Sequence, residues 1–482
     1  MKHAIIILAH KDIPLLCRII RYFEKDCYVF VHLDKKARVT DIELNKILEL
    51  KNVKILTRKY SVHWGGFSML KAELYLLNLV IQNTDANYIH LLSGQDYPVK
   101  PFSVFLDFFR KNNGKNYLFF RKMSFKEVAN RFFRFLPYDW VDRSMKGRNF
   151  IGKCCSLHEK LKIQRTVYDL LCPMYHGSQW FSITRSSCEF ILNYTRKKPS
   201  FYKRMRFSFA PEECYINTIL VHFKYKECVN MNLRYIRWLS ENGNNPSNLA
   251  MEHLGGIIES GAFFARKMEH PHCDTLVSTI DKYLLKECEI KKMDTGAWIC
   301  KSLNKYYVDE TLTFAIAKFY KLAKLTSAID MGCGCGLYVD ILRRYHVAAS
   351  GYDGNPYTPE LSSLILGAEM PCAVADLTEE LGCEDDIPFD LVLCIDVLPY
   401  IPKKHEKVAV NNLVNMCNKY LIISWAGNED SILGYVNPRP NNYVVDLFIQ
   451  KGLKFNLLIT DYLKKSAEND LFKRSLFVFE KC

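Results

Sequence analysis

The chain reads as short apolar runs separated by amphipathic stretches. "AIIILAH" (4–10), "CYVFVHLD" (27–34) and "VKILT" (53–57) are aliphatic and β-branched runs too short for helices, and they predict strands. A helical pattern around residues 13–23 separates the first two, a longer one runs from Phe67 to about Gln82, and "YIHLLSGQD" (88–96) predicts the next strand. The same alternation returns near the other end of the chain, with strand-like runs at 328–331, 348–353, 389–394 and 419–424. Strand and helix in alternation predict α/β architecture with mostly parallel sheets. Ligands of such sheets sit beyond the carboxyl ends of the strands. His10, His32, Asp34 and Asp96 are the polar residues at those ends in the first half, each of which local backbone could also satisfy.

With 482 residues, 49% of them apolar and 13% aromatic, the chain can bury more than one core, and two domains are expected. Charge changes the picture further. Residues 1–290 carry 45 Lys and Arg against 28 Asp and Glu, whereas residues 291–482 carry 21 against 24. The break places a domain boundary near residue 290, giving domains at 1–290 and 291–482. The basic half suits an anionic partner such as a nucleotide sugar, a nucleic acid or an anionic membrane surface, and equally a solvated basic face.

The opening apolar run is shorter than a signal-peptide core and reads as a buried first strand. No stretch reaches the roughly 18 apolar residues needed to span a bilayer. The 18 cysteines are therefore expected to stay reduced as small buried hydrophobes. "CGC" (333–335) and "CC" (154–155) lack the spacing of a zinc site, so no metal is expected.

Several short motifs follow one another in the first half. They are "VHLDKK" (31–36), "VHWGG" (62–66), "LLSGQDYPVK" (91–100), "HGSQWFSITR" (176–185), "FAPEECYINTIL" (209–220) and "FFARK" (263–267). An acid pair after a proline and before an apolar helix pattern, Glu212–Glu213, can supply a carboxylate for general-base chemistry. It is also what a helix start favours. No Asp-x-Asp occurs in residues 1–290, and the cations Arg266 and Lys267 follow an apolar strand.

In this order the motifs resemble the core-2/I-branching N-acetylglucosaminyltransferase and peptide xylosyltransferase family over about residues 1–285. The resemblance implies a GT-A-like fold, a UDP-sugar donor, inversion and no metal. It makes Glu213 the catalytic base and Arg266 with Lys267 the diphosphate pair. It puts Asp34 at the uridine with Lys36 nearby, Trp64, Gln179 and Trp180 at the sugar, and Asn245 at the diphosphate, in a loop spanning 234–249. The xylosyltransferases have an acid where Gln179 stands, and Arg237 replaces a commonly acidic residue. The membrane anchor and stem of the eukaryotic members are not in this sequence, which points to a bacterial or viral relative on the cytoplasmic side, with a peripheral membrane location open to it.

In the second half "AIDMGCGCG" (328–336) ends a strand near Asp330 and continues into Gly332, Gly334 and Gly336. The spacing is D-x-G-x-G-x-G, not the G-x-G-x-x-G of dinucleotide sites. It resembles motif I of the S-adenosylmethionine-dependent methyltransferases with a Rossmann-like sheet. Asp353 in "AASGYDGNP" ends the second strand, where an acid holds ribose hydroxyls in dinucleotide folds. The resemblance further implies Asp376 at the adenine and Asp396 with Tyr400 exposed at the end of the fourth strand. "NPY" (355–357) follows the second strand, the wrong place for an adenine-methylase motif, and reads as a turn.

The sequence thus predicts a bifunctional enzyme. A GT-A-like domain would transfer xylose or N-acetylglucosamine from a UDP-sugar, and a Rossmann-like domain would O-methylate a sugar, the acceptor being a glycan or glycosylated molecule and not a nucleic acid. Two alternatives stay open: a nucleic-acid methyltransferase with a basic recognition domain, and a methyltransferase carrying a non-catalytic glycan-binding domain.

Overall fold

The computed structural model describes residues 1–481 apart from 24–26, 141–144, 164, 166–169, 172, 240–244, 382–387 and 428–433. The chain divides into two compact units. Met1–Leu249 with Ala262–Asp274 forms the first, and Ala250–Gly261 with Thr275–Cys482 forms the second. Residues 250–261 and 275–290, which the charge break places with the first half, thus group with the second unit. Among the described residues no helix is long and apolar enough to cross a membrane.

The first unit is built on a seven-stranded sheet. Its strands are β1 (His3–Ala9), β2 (Cys27–Leu33), β3 (Val53–Thr57), β4 (Tyr88–Ser93), β6 (Asn116–Lys122), β7 (Tyr175–Thr184) and β8 (Cys228–Asn230), in the order β3-β2-β1-β4-β7-β6-β8. The β3-β2-β1-β4 half is parallel, and β7 runs antiparallel to both β4 and β6. β1 is buried along almost its whole length because helices cover both faces of a parallel sheet, which is why it reads as one apolar run. The helix Ile13–Tyr22 begins after Asp12, whose side chain accepts from the Leu15 amide. The helix Phe67–Asn83 buries Leu70, Leu74, Leu77 and Val80 in the core beside β1 and β2.

A second sheet of β5 (Tyr97–Pro98), β9 (Arg234–Ile236) and β10 (Phe264–Arg266), ordered β5-β10-β9, follows the end of β4. Register puts Ala265 opposite Tyr97 and Arg266 opposite Ile236, so Arg266 meets the turn after β4. Gly177 on β7 is required by close approach, since a Cβ there would lie 1.7 Å from the Phe119 carbonyl oxygen on β6.

The second unit carries a hairpin of β11 (Lys291–Lys292) and β12 (Trp298–Ile299). Its main sheet holds β13 (Ala328–Met331), β14 (Ala349–Asp353), β15 (Ala373–Val374), β16 (Phe389–Cys394), β17 (Cys417–Ser424), β18 (Leu453–Phe455) and β19 (Leu476–Lys481). The order is β15-β14-β13-β16-β17-β19-β18, parallel except for β19. The reversal of winding at β13 is the switch point of a doubly wound, Rossmann-like sheet. The helix Leu254–Glu259 belongs to this unit: Glu259 pairs with Arg344 at 2.5 Å on the helix Leu337–Arg344.

Candidate active sites

In the first unit the acid pair lies in a short 3-10 turn, Pro211–Glu213, ahead of the helix Tyr215–His222. Ala210 enters that turn in the left-handed region (φ 45°), and its amide donates to the Gly65 carbonyl at 2.9 Å. The "VHWGG" loop is therefore tied to the acid motif, and the Trp64 ring meets Phe209 at 5.6 Å.

Glu213 Oε2 accepts from Arg131 Nη1 at 2.9 Å, and His176 Nε2 lies 3.0 Å from the same oxygen. His176 Nε2 is also 3.1 Å from Arg131 Nη2. One nitrogen cannot serve both, so it donates to Glu213 when protonated and accepts from Arg131 otherwise. Burial pushes the Glu213 carboxyl up, but the His176 hydrogen bond and the Arg131 charge outweigh it and hold the group below the usual carboxylate range. Its side chain is 35% exposed, and among the described residues Oε1 carries no bond.

The acids behind it behave oppositely. Glu212 is buried with Oε2 unpartnered, and burial followed by repulsion from Glu213 and Glu73 raises its carboxyl well above the usual range. It lies in the first turn of the Pro211–Glu213 3-10 helix, but buried. Glu73, on the buried face of Phe67–Asn83, is pushed up to about 8 by burial, partly opposed by the Gln179 amide that donates to its Oε1 at 2.7 Å. Adjacent carboxyls driven apart in this way acquire separate acid and base roles. The motifs did not single out Arg131, His176 or Glu73 for these roles. The available signal was Glu73, an acid interrupting the apolar stripe Leu70–Leu74–Leu77.

Arg266 Nη1 bonds Asp96 Oδ1 at 2.7 Å and also the Ser93 hydroxyl, and the Trp180 ring lies 4.5 Å from its guanidinium. Asp96 is fully buried and also faces Arg234, whose guanidinium burial pushes down to about 10 against the pull of that carboxylate. Lys267 pairs with Glu269 at 2.8 Å, and Lys11 shares the same acid. Both cations expected at the diphosphate are therefore partnered, and Trp180, expected at the sugar, is buried against one of them. Asp34 Oδ1 accepts from the Lys36 amide at 2.9 Å and the Val62 amide at 3.3 Å, while Lys36 Nζ reaches the Val62 carbonyl at 2.6 Å. Asn245 is half-buried, and residues 240–244 of its loop lie outside the described residues.

In the second unit Asp330 is buried in β13 with Oδ2 unpartnered, and burial plus repulsion from Asp353 pushes its carboxyl up to about 7. Gly332, Gly334 and Gly336 all take positive φ (93°, 58° and 86°). A Cβ on Gly334 would lie 2.4 Å from the Tyr306 ring. Asp353 accepts from the Gly334 amide at 2.8 Å and the Asn355 amide at 2.7 Å, which binds the end of β14 to the glycine turn. Asp376 accepts from Thr378, both amide (2.9 Å) and hydroxyl (2.8 Å).

Asp396 and Tyr400, expected exposed, are half-buried, because Tyr435 and Trp298 pack over them. Tyr435 donates to Asp396 Oδ1 at 2.5 Å, and the Tyr400 ring meets Tyr435 at 4.9 Å and Trp298 at 5.3 Å. Burial pushes the Asp396 carboxyl up to about 6 against that hydrogen bond. An orphaned buried carboxylate oxygen, a left-handed glycine turn and an acid ending the second strand fit a cationic nucleoside cofactor.

Glu73 gives a pH signature. Its carboxyl is raised in the folded chain, so between about pH 4.5 and 8 the unfolded state loses this proton while the native state keeps it. The contribution to stability is full below about 4.5 and declines as pH rises to about 8. Thermal unfolding of Glu73→Gln against the parent should show a shallower fall across that window. Identical slopes would mean that Glu73 is not the protonated group.

A family model described as "Core-2/I-Branching enzyme" matches residues 4–257. The chain is 26% identical over 222 residues to "Xylosyltransferase sqv-6" of Caenorhabditis elegans, covering 45% of this chain and 26% of that protein. It is 23% identical over 285 residues to "Xylosyltransferase 1" of Mus musculus, covering 54% and 28%. The chain thus spans only about a quarter of these curated relatives' length, 26% and 28%. Both are animal proteins and lend no support to a bacterial or viral source. An O-methyltransferase family protein from Burkholderia thailandensis is similar at 14% identity over 35% of this chain and 55% of that one. Its TM-score of 0.29 is too loose to assign an activity. The model match covers more than half of the chain and takes in β1, the "VHWGG" loop and the Pro211–Glu213 turn: the chain belongs to the Core-2/I-Branching enzyme family.

Proposed function

We propose that the first unit transfers xylose or N-acetylglucosamine from a UDP-sugar with inversion, using Glu213 as base. The observation that carries this reading is the Glu213 carboxyl, fixed through Oε2 by Arg131 and His176, with Oε1 open among the described residues. The acceptor hydroxyl attacks the anomeric carbon, its proton passes to Glu213, and the bond from that carbon to the diphosphate oxygen breaks as UDP leaves. An α-linked donor then gives a β-linked product. Arg266 and Lys267 would stabilise the departing diphosphate in place of a metal, Arg266 through the donors not engaged by Asp96 and Ser93. Asp34 and Lys36 would hold the uridine, Trp64 and Gln179 the sugar, and Asn245 the diphosphate.

The second unit is proposed to bind S-adenosylmethionine, which supplies a methyl group activated on a sulfonium. The unpartnered oxygen of Asp330 suits its ammonium group, Asp353 the ribose hydroxyls and Asp376 the adenine edge. Asp396, at the cofactor edge, or Tyr400 would take the proton of a sugar hydroxyl; the Asp396 carboxyl, pushed up to about 6 and bonded to Tyr435, supports that reading. Fusion raises the effective concentration of one site near the other's product, which favours a shared glycan. The fifteen described cysteines are free thiols, mostly buried, which supports a reducing, cytoplasmic setting.

Glu213→Gln should leave UDP-sugar binding intact and slow transfer by about 10²–10⁴-fold, while the parent keeps its activity in EDTA. Undiminished turnover in the variant removes Glu213 from the role, and activity lost in chelator but restored by Mn²⁺ contradicts the metal-free diphosphate site. In the second unit, Gly334→Val should abolish S-adenosylmethionine binding by calorimetry without changing glycosyl transfer, because the new side chain meets Tyr306. Unchanged binding would move the cofactor away from the glycine turn.

A further inference from the structure

A cavity of about 470 Å³ opens in the first unit apart from the charged residues assigned to the donor. Its volume lies within the roughly 300–1,000 Å³ of small-molecule sites. Four pieces of chain build it: the loop after β3 (Ser61, His63), the start of the helix Phe67–Asn83 (Phe67, Lys71), the 3-10 turn Tyr138–Trp140, and the segment from Tyr202 to Arg206. Asp34, Arg266 and Lys267 do not line it.

The charges in this cavity are unbalanced. Lys71, Lys203 and Arg206 line it, and among the described residues none pairs with a carboxylate; Lys71 instead lies 4.8 Å from the Tyr60 ring and Arg206 5.4 Å from that of Phe207. The single acid, Asp139, is committed elsewhere. It accepts from the Ser68 amide at 3.0 Å and the Ser68 hydroxyl at 2.7 Å, capping a helix whose own N-cap, Gly66, has no side chain to do so. Three cations are therefore left facing one concave space. The Phe67 and Tyr202 rings, 4.9 Å apart, supply an apolar wall, and Trp140 stands 71% exposed at the rim.

The cavity is coupled to the proposed base through packing. Asp139 fills the space beside Gly66, where a Cβ would lie 2.3 Å from its Oδ1. Tyr138 packs against Phe209 in a tilted arrangement at 4.9 Å, Arg131 lies 5.1 Å over the same Phe209 ring, and Arg131 bonds Glu213. The cavity wall is thus linked to Glu213 through Tyr138, Phe209 and Arg131.

We propose that this cavity is the acceptor subsite and that it takes a sugar bearing an anionic group, a carboxylate or a sulfate or phosphate ester. The assignment rests on the glycosyl-transfer reading. A volume of about 470 Å³ and aromatic walls favour one or two sugar rings, and three cations without a carboxylate partner favour a charged ring over a neutral one.

The test is equilibrium binding to the full chain at low ionic strength, because salt screens exposed cations. The probes are 4-nitrophenyl β-glucuronide, the neutral 4-nitrophenyl β-glucoside and its 6-sulfate, with UDP measured in parallel. An anionic probe should bind about 10- to 100-fold more tightly than the glucoside, the size of a charge-assisted contact. Whether the glucuronide or the sulfate binds better identifies the anion. The preference should vanish in Lys203→Glu/Arg206→Glu while UDP affinity is unchanged, and Lys203→Gln/Arg206→Gln should weaken it in the same direction. Equal binding of charged and neutral probes, or a preference that survives both double variants, overturns the proposal. So does loss of UDP affinity in the variants, which would make the cavity part of the nucleotide site, and so does an acidic peptide that outcompetes every glycoside. Failure of the unmodified chain to bind UDP at all would instead remove the glycosyl-transfer reading beneath it.

Discussion

Three carboxyls, Glu73, Glu212 and Glu213, meet in the interior of the first unit, and they cannot all be charged there. Burial penalises each anion, and each anion penalises its neighbours. Arg131 and His176 hold one of them, Glu213, below the usual carboxylate range, while burial pushes the carboxyls of Glu73 and Glu212 up. The surrounding architecture follows from that arrangement. Ala210 takes a left-handed conformation to aim the Pro211–Glu213 turn, Gly65 accepts its amide, and β7 comes close enough to β6 that only glycine fits at residue 177.

The second unit uses buried acids in another way. Asp330, Asp353 and Asp396 all lie at or just beyond the carboxyl ends of parallel strands, and burial raises all three. Two of them have backbone or hydroxyl donors, while Asp330 keeps an oxygen without a partner. A buried, unsatisfied acid is costly unless something cationic meets it. The glycine turn beside it leaves room for that something to approach the backbone.

Much of this was legible in the sequence where chemistry is written in contiguous residues. The acid pair sits in a turn ahead of a helix, the three glycines take positive φ after β13, and Asp353 ends β14, the local positions that the motifs predict. The partners were not legible, because they come from distant elements: Arg131 from a helix, His176 from β7 and Glu73 from the helix Phe67–Asn83 converge only in three dimensions. The cations Arg266 and Lys267 were visible in "FFARK", but Asp96 and Glu269, which pair with them, stand in other motifs or in none. The charge break near residue 290 carried no information about the helix Leu254–Glu259, whose place in the second unit depends on the Arg344 contact. Solvent exposure was misread at Asp396 and Tyr400, since the aromatic residues that cover them lie about 40 residues later, at Tyr435, and about 100 earlier, at Trp298.

The division of charge among the three acids is open to direct observation. Carbon-13 NMR of the chain labelled at the glutamate side-chain carboxyl, with signals assigned through single Glu→Gln variants at residues 73, 212 and 213, reads each protonation state at pH 7. Glu213 should give the chemical shift of a carboxylate, and Glu73 and Glu212 those of carboxylic acids, with Glu73 titrating at about 8. A protonated Glu213 at pH 7, or three ionised carboxylates together, would contradict the account.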